Sequence, residues 1–170
     1  MTEEEKITFK IKNMTADQKA KLAAYADGYA AVFDYIYGIA VMLEASGKAA
    51  DAKSVWHYAG CALATFPCVA DIPDDVRRCA LYDALRYRSC KWLAKPLDGK
   101  DLEMSRGKGS IALDPSLTKA NFDGLGEISI WMIDWTDAKA KTARECPIVG
   151  MRIRLVPGTG IMMTLTFALA

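Results

Sequence analysis

The sequence predicts an α+β fold: a small antiparallel β-barrel formed by the N-terminal strand and the C-terminal strands, with a three-helix insertion. Three observations predict it. Residues 6–12 alternate apolar and polar in the period of a strand. Apolar residues then recur every three or four positions from Leu22 onward, the period of a helix. Beyond residue 97, turn residues and short β-branched and aromatic runs take over. A lone strand among helices has nothing to pair with, so its partners must come from the far end of the chain. The barrel is thus assigned to residues 1–14 and 97–170, and the helical part to residues 15–96.

In the first strand Ile7, Phe9 and Ile11 point one way, and Lys6, Thr8, Lys10 and Lys12 the other. Thr15-Ala-Asp-Gln18 is a capping box that starts a helix. Leu22, Tyr25, Tyr29, Val32, Phe33 and Ile36 line it, and it runs to about Glu44, where Ala-Ser-Gly-Lys breaks it. A second helix is expected from Ala49 to Thr65. A third starts at about Asp74, after Pro73, and ends at Ala94, ahead of Pro96. Its apolar stripe is Val76, Ala80, Ala84, Leu85 and Trp92, and its other faces carry Arg77, Arg78, Arg86, Arg88, Lys91 and Lys95.

Leu97-Asp-Gly-Lys and Arg106-Gly-Lys-Gly109 read as turns, Ser110–Leu113 as a short strand and Ile128–Trp135 as a strong one. Asp137–Glu145 reads as a polar connection. Met151–Val156 and Ile161–Leu169 form a hairpin through Pro157-Gly-Thr-Gly160. In its first arm Arg152 and Arg154 alternate with Met151, Ile153 and Leu155.

At 170 residues and 52% apolar content the chain has enough material for a packed core. No apolar run reaches the length of a membrane span. Five cysteines, an odd number without a CxxC pair, follow an N-terminus (MTEEEK) that has no apolar signal core. This reads as a reducing, cytoplasmic setting with free thiols. The net charge of +1 excludes a generic polyanion coat. The charge is nevertheless segregated. Residues 1–75 hold seven Lys/Arg against eleven Asp/Glu, residues 76–108 nine against four, and residues 109–170 six against six. A block of +5 sits in the middle of an acidic or neutral chain. Its cations are expected to gather on one side of the molecule.

Enzyme chemistry is not legible. His57, the one histidine, stands at i, i+4 from Cys61, half of a zinc site by spacing, whose two further ligands would have to come from isolated cysteines or carboxylates. No Cys/His pair has an orienting third group. Arg106-Gly-Lys-Gly109 lacks the spacing of a phosphate-binding P-loop. No two carboxylates are marked as an acid–base pair. The sequence assigns no catalytic residue, no metal and no cofactor.

The ordered series of elements resembles the N-terminal half of TnpB, the transposon-associated RNA-guided nuclease, and of the compact type V CRISPR effectors. Ile7-Thr-Phe-Lys-Ile-Lys-Asn-Met-Thr-Ala-Asp-Gln18, followed by Gly28-Tyr-Ala-Ala-Val-Phe-Asp-Tyr35, is similar to that family's opening. Ile72-Pro-Asp-Asp-Val-Arg-Arg-Cys-Ala-Leu81 resembles its later helix, and Gly124-Leu-Gly-Glu-Ile-Ser-Ile130 a strand of its barrel. Arg152-Ile-Arg-Leu-Val-Pro-Gly-Thr-Gly160, then Met163-Thr-Leu-Thr-Phe167, resembles its last hairpin. The resemblance implies a wedge-like barrel and a recognition-lobe-like helical part that hold guide RNA and RNA–DNA duplex. Ala170 falls about where the RuvC nuclease of that family begins, so the nuclease carboxylates and zinc-ribbon cysteines are not expected here.

Phosphates need Lys and Arg on rigid elements, and unpaired bases need aromatic platforms. The expected nucleic-acid contacts are Lys10, Lys12, Arg77, Arg78, Arg86, Arg88, Lys91, Lys95, Arg106, Lys108, Arg152 and Arg154. Tyr25, Tyr29, Tyr82, Tyr87, Trp56 and Trp92 are the candidate platforms. Three readings follow. The first is a non-catalytic nucleic-acid-binding module, an accessory or an anti-CRISPR-like phage inhibitor that occupies guide RNA or the effector's surface. The second is the recognition subunit of a split effector, with Trp131, Trp135, Met162 and Met163 as a partner-facing apolar patch. The third is a protein-interaction module using the acidic N-terminal helices. The expected partners are guide RNA, an RNA–DNA duplex or an RNA-guided nuclease protein, with neither a membrane nor a small-molecule substrate.

Overall fold

The computed structural model describes residues 3–63, 65–89 and 103–169. Strand β1 (Glu4–Lys12) leads into α1 (Ala16–Ala45), α2 (Ala52–Leu63), α3 (Pro67–Ala70) and α4 (Asp74–Ser89). Then come β2 (Glu103–Arg106), β3 (Ile111–Leu113), β4 (Lys119–Phe122), β5 (Gly126–Met132), α5 (Asp137–Glu145), β6 (Ile148–Val156) and β7 (Gly160–Ala168). The fold is α+β, with one seven-stranded antiparallel sheet in the order β2-β6-β7-β1-β5-β4-β3.

The alternation of residues 6–12 places β1 between β7 and β5, with Phe9 opposite both Met163 and Met132. Because antiparallel partners share a face, the register builds rows of like side chains. Met104, Ile153, Met163, Phe9 and Met132 form one buried row across five strands. The opposite face carries Lys6, Thr8 and Lys10 of β1, Thr164 and Thr166 of β7, and Arg152 and Arg154 of β6.

The sheet is open, which corrects the expected closed barrel. β2 and β3 are its two edges, and no ladder joins them. Only residues 107–110 connect them, a link reaching at most about 17 Å. A flat sheet of seven strands would hold its edges about 29 Å apart, so the sheet must curl strongly. The seam is bridged by side chains instead of a ladder. Arg106 Nη1 at the end of β2 donates to the carbonyl of Asp123, after β4, at 3.0 Å. Asp75 at the start of α4 accepts from the Gly107 N–H at 3.0 Å. A charged side chain and a helix N-terminus thus occupy the place where closing hydrogen bonds would run.

The capping box starts α1 as the sequence predicts: Gln18 N donates to Thr15 Oγ1 at 3.1 Å and Thr15 N to Gln18 Oε1 at 3.0 Å. The same Gln18 side chain donates to the carbonyls of Leu125 and Glu127 at 3.0 and 2.9 Å, pinning the helix to the sheet. At its other end Lys48 N donates to Leu43 O and Gly47 N to Glu44 O, with Gly47 at φ +72°. That is a Schellman closure, which wants glycine in the left-handed conformation. α1 buries Leu22, Tyr25, Tyr29, Val32, Phe33, Ile36, Ala40 and Leu43. α4 supplies Val76, Ala80, Leu81 and Ala84 to the same core, and the Tyr87 ring packs at a tilt against Phe33 and Tyr37.

Several elements depart from the sequence reading. α2 begins at Ala52 and ends at Leu63, not 49 and 65, with Asp51 Oδ1 taking the Ser54 N–H at 2.9 Å. The polar connection at 137–145 is a helix, capped by Thr136 and buried through Ala140 and Ala143. Its apolar side is two alanines, too small to register as a stripe. β2, β4 and α3 are each four residues long, below the length at which periodicity shows. The expected end of the third helix, at 90–94, lies outside the described residues, as do Trp92 and the Leu97-Asp-Gly-Lys turn. Among the described residues no helix is long and apolar enough to cross a membrane.

Candidate nucleic-acid interface

A cleft of about 650 Å³ runs between α4 and the polar face of β1, β6 and β7. Cys79, Asp83 and Arg86 line its helix side, three residues that share one face of α4. Lys6, Arg152, Arg154, Thr164 and Thr166 line its sheet side, with Ser105 at the β2 edge. The register explains the grouping. Gly150, Thr166 and Lys6 form one cross-strand row; Arg152, Thr164 and Thr8 form the next; Arg154, Met162 and Lys10 form a third. Rows of one face lie two residues apart along each strand, so the cations and hydroxyls make a two-dimensional array. Thr8 and Thr164 are hydrogen-bonded to each other at 3.1 Å.

The floor of this cleft is anchored by α1. Tyr29 is buried and its hydroxyl donates to Asp83 Oδ2 at 2.6 Å. Burial pushes the Tyr29 phenol far up, and the Asp83 carboxylate adds to it, against the opposing effects of Arg152 and Ser105. The Cys79 thiol is pushed up to about 11, first by burial and then by the carboxylates of Asp83 and Asp75. The cleft therefore keeps Cys79 as a neutral thiol near pH 7.

The predicted cations are not on one side, which corrects that expectation. Arg86, Arg152 and Arg154 meet in the sheet-face cleft, joined by Lys6. Arg77 and Arg78 line a second cleft, of about 650 Å³, between α2 and α4. Arg77 is paired there with Asp74. Lys10 is half-buried on the polar face of β1, and exposed Lys12 lies 4.4 Å from the Trp131 ring. Arg88 is tied to Glu44 of α1, and its buried Nε has no partner. Lys108 is exposed in the turn after β2. Lys91 and Lys95 lie outside the described residues.

Arg106 is a second correction. It is 1% exposed, with Nε and Nη2 on the two oxygens of Asp75 at 3.1 and 3.2 Å and the Tyr25 ring 5.6 Å away. Nε, Nη1 and Nη2 are each engaged within the protein, so its buried side chain holds the seam where it borders the sheet-face cleft. Its place in the row Arg106, Met151, Leu165, Ile7 shows that it lies on the buried face.

The candidate platforms also divide. Tyr25 and Tyr29 are buried in the core, and Tyr87 is half-buried against Phe33 and Tyr37. Trp56 and Tyr82 are 42% and 60% exposed, on opposite walls of the α2–α4 cleft. Trp131 and Trp135 are exposed around an apolar cleft of about 280 Å³, whereas Met162 and Met163 are buried. His57 is exposed with its ring edge-on to Tyr58, and the Cys61 side chain lies outside the described ones. Among the described residues no group of three His, Cys, Asp or Glu stands close enough to share a metal ion.

Sequence reasoning did not single out Lys6 or Lys53, which line the sheet-face cleft and the α2–α4 cleft. Lys6 was within reach, since strand alternation already put it on the face of Lys10, four residues on. Lys53 joins Arg77 and Arg78 only through the packing of α2 on α4, which no local pattern encodes. No family model matches the chain, and no curated protein matches it.

Proposed function

We propose that this chain is a non-catalytic nucleic-acid-binding module whose sheet-face cleft grips the backbone of guide RNA or an RNA–DNA duplex. Its resemblance to RNA-guided nucleases makes it an accessory or an anti-CRISPR-like inhibitor of such an enzyme, working in the cytoplasm. One observation carries the reading: Lys6, Arg86, Arg152 and Arg154 converge with Thr164 and Thr166 on rigid elements around one cleft. Guanidinium groups and hydroxyls fixed on a sheet are suited to phosphate oxygens, which set register without reading sequence.

Fluorescence anisotropy with a labelled RNA hairpin and an RNA–DNA hybrid tests it. With about four phosphates neutralised, one for each of these cations, affinity should fall with salt at a log–log slope of roughly −3 to −4. Arg152→Glu with Arg154→Glu should abolish binding. Salt-independent binding, or none at low salt, would overturn the reading.

A second reading, the recognition subunit of a split effector, is favoured by the apolar cleft between Trp131 and Trp135. It requires a protein complex that survives nuclease treatment and is lost on Trp131→Glu.

A further inference from the structure

We infer that the exposed ridge of α4 is a track for single-stranded nucleic acid, with Tyr82 and Trp56 as the two walls of a base-stacking site. This rests on the nucleic-acid reading above and extends it to a second surface.

Arg78, Tyr82 and Arg86 stand at i, i+4 and i+8 on α4, and all three are exposed. Such residues stack along one face of a helix about 6 Å apart, the scale of one nucleotide step in an extended strand. The ridge separates the two clefts and joins them. Arg78 and Tyr82 line the α2–α4 cleft, and Arg86 lines the sheet-face cleft.

The α2–α4 cleft has a composition unlike the other. Trp56 of α2 and Tyr82 of α4 both line it, together with Lys53, Arg77, Arg78, Leu81 and Ala52, and Asp74 pairs with Arg77. The Trp56 indole lies beside Gly60, one turn on, its Nε1 3.6 Å from where a Cβ there would sit. Exposed aromatic faces flanked by arginines stack on unpaired bases, which a duplex does not present. Among the described residues the sheet-face cleft holds no aromatic ring: its cations and hydroxyls, set among Asp83, Cys79, Val149 and Met151, suit a backbone rather than a base. A strand crossing α4 would leave its phosphates on Arg78 and Arg86 and tuck a base between Tyr82 and Trp56.

The test uses the full chain, a single-stranded RNA carrying 2-aminopurine, and an RNA–DNA hybrid. Binding should quench 2-aminopurine in the single strand. Tyr82→Ala should weaken single-strand binding roughly tenfold or more and remove the quench. Tyr82→Phe should retain both, and hybrid binding should be the same in all three proteins. Trp56→Ala should act like Tyr82→Ala; both side chains are exposed, so unchanged thermal unfolding is expected and serves as the control.

Wild-type quenching and affinity in Tyr82→Ala would overturn the inference. So would an equal loss of hybrid binding, or displacement of the single strand by polyglutamate as effectively as by RNA, which would mark an acidic protein partner. If Arg152→Glu/Arg154→Glu abolishes hybrid binding while Tyr82→Ala changes nothing, the track fails alone. If the wild-type chain binds neither probe, the nucleic-acid reading fails and the track with it.

Discussion

The carboxylate of Asp75 and the guanidinium of Arg106 meet side by side, Oδ2 to Nε at 3.1 Å and Oδ1 to Nη2 at 3.2 Å, across the seam of the curled sheet. The pair ties the first turn of α4 to the last residue of β2, and Arg106 reaches on to Asp123 beyond β4. Three parts of the chain remote in sequence are thus held by one buried cation. A buried pair of this kind is expensive to break, because the survivor keeps its desolvation cost.

Asp75→Ala should therefore destabilise the fold by about 3–5 kcal/mol, read from urea unfolding. Arg106→Met in the same background should recover part of the loss, since the orphaned charge is then gone. An additive or greater loss in the double variant would show that the pair does not carry this stability.

Gly124 sits at φ +78°, and a Cβ built on it would lie 2.6 Å from the hydroxyl of buried Tyr25. Gly124→Ala meets both backbone strain and a rigid ring, and should cost about 2–4 kcal/mol. Tyr25→Phe removes the offending oxygen and should restore part of the stability. A Gly124→Ala variant as stable as the parent in thermal unfolding would contradict this contact.

Tyr29 makes stability depend on alkaline pH. Its folded-state pKa is raised by burial and by Asp83, so the unfolded chain loses this proton first, near its ordinary value of 10.0. The stabilisation is full below that pH and drains away above it. Each pH unit beyond it should cost about 1.4 kcal/mol from this group. Urea titrations between pH 9 and roughly 11 should show a shallower decline in Tyr29→Phe. Parallel curves for the two proteins would refute the assignment.

Cys79, with its thiol pushed up to about 11 against an ordinary 9.0, should be slow to alkylate. At pH near 8 its thiolate fraction falls about a hundredfold relative to the unfolded chain. Iodoacetamide labelling followed by peptide mass spectrometry, with and without concentrated urea, measures the difference. Asp83→Asn, which removes the second cause, should speed the folded-state reaction. Equal rates in the two conditions would contradict the shift.

Most elements legible in the sequence have a pattern long enough to declare a period; the three-residue β3 was legible instead from the turn residues before it. The nine-residue strand β1, the hairpin of β6 and β7, and the 30-residue α1 with its Thr15–Gln18 box all follow from local alternation, spacing and capping. β2 and β4 did not, since at four residues each their identity comes from a partner strand rather than from their own pattern. α5 was hidden because alanine buries a helix face without looking apolar enough to mark one.

By itself the sequence determined that a basic-faced N-terminal strand pairs with late strands, and that cations crowd the middle of the chain. Tertiary structure alone decided which of those cations face solvent together. Arg86 and the distant Arg152, 66 positions on, share a cleft, while Arg106, in the same basic block as Arg86, is buried on Asp75. The reason is physical. A side chain's face follows from local periodicity, but what lies opposite that face depends on how the sheet curls and where α4 lands on it. Both are settled by long-range packing at the Arg106 seam.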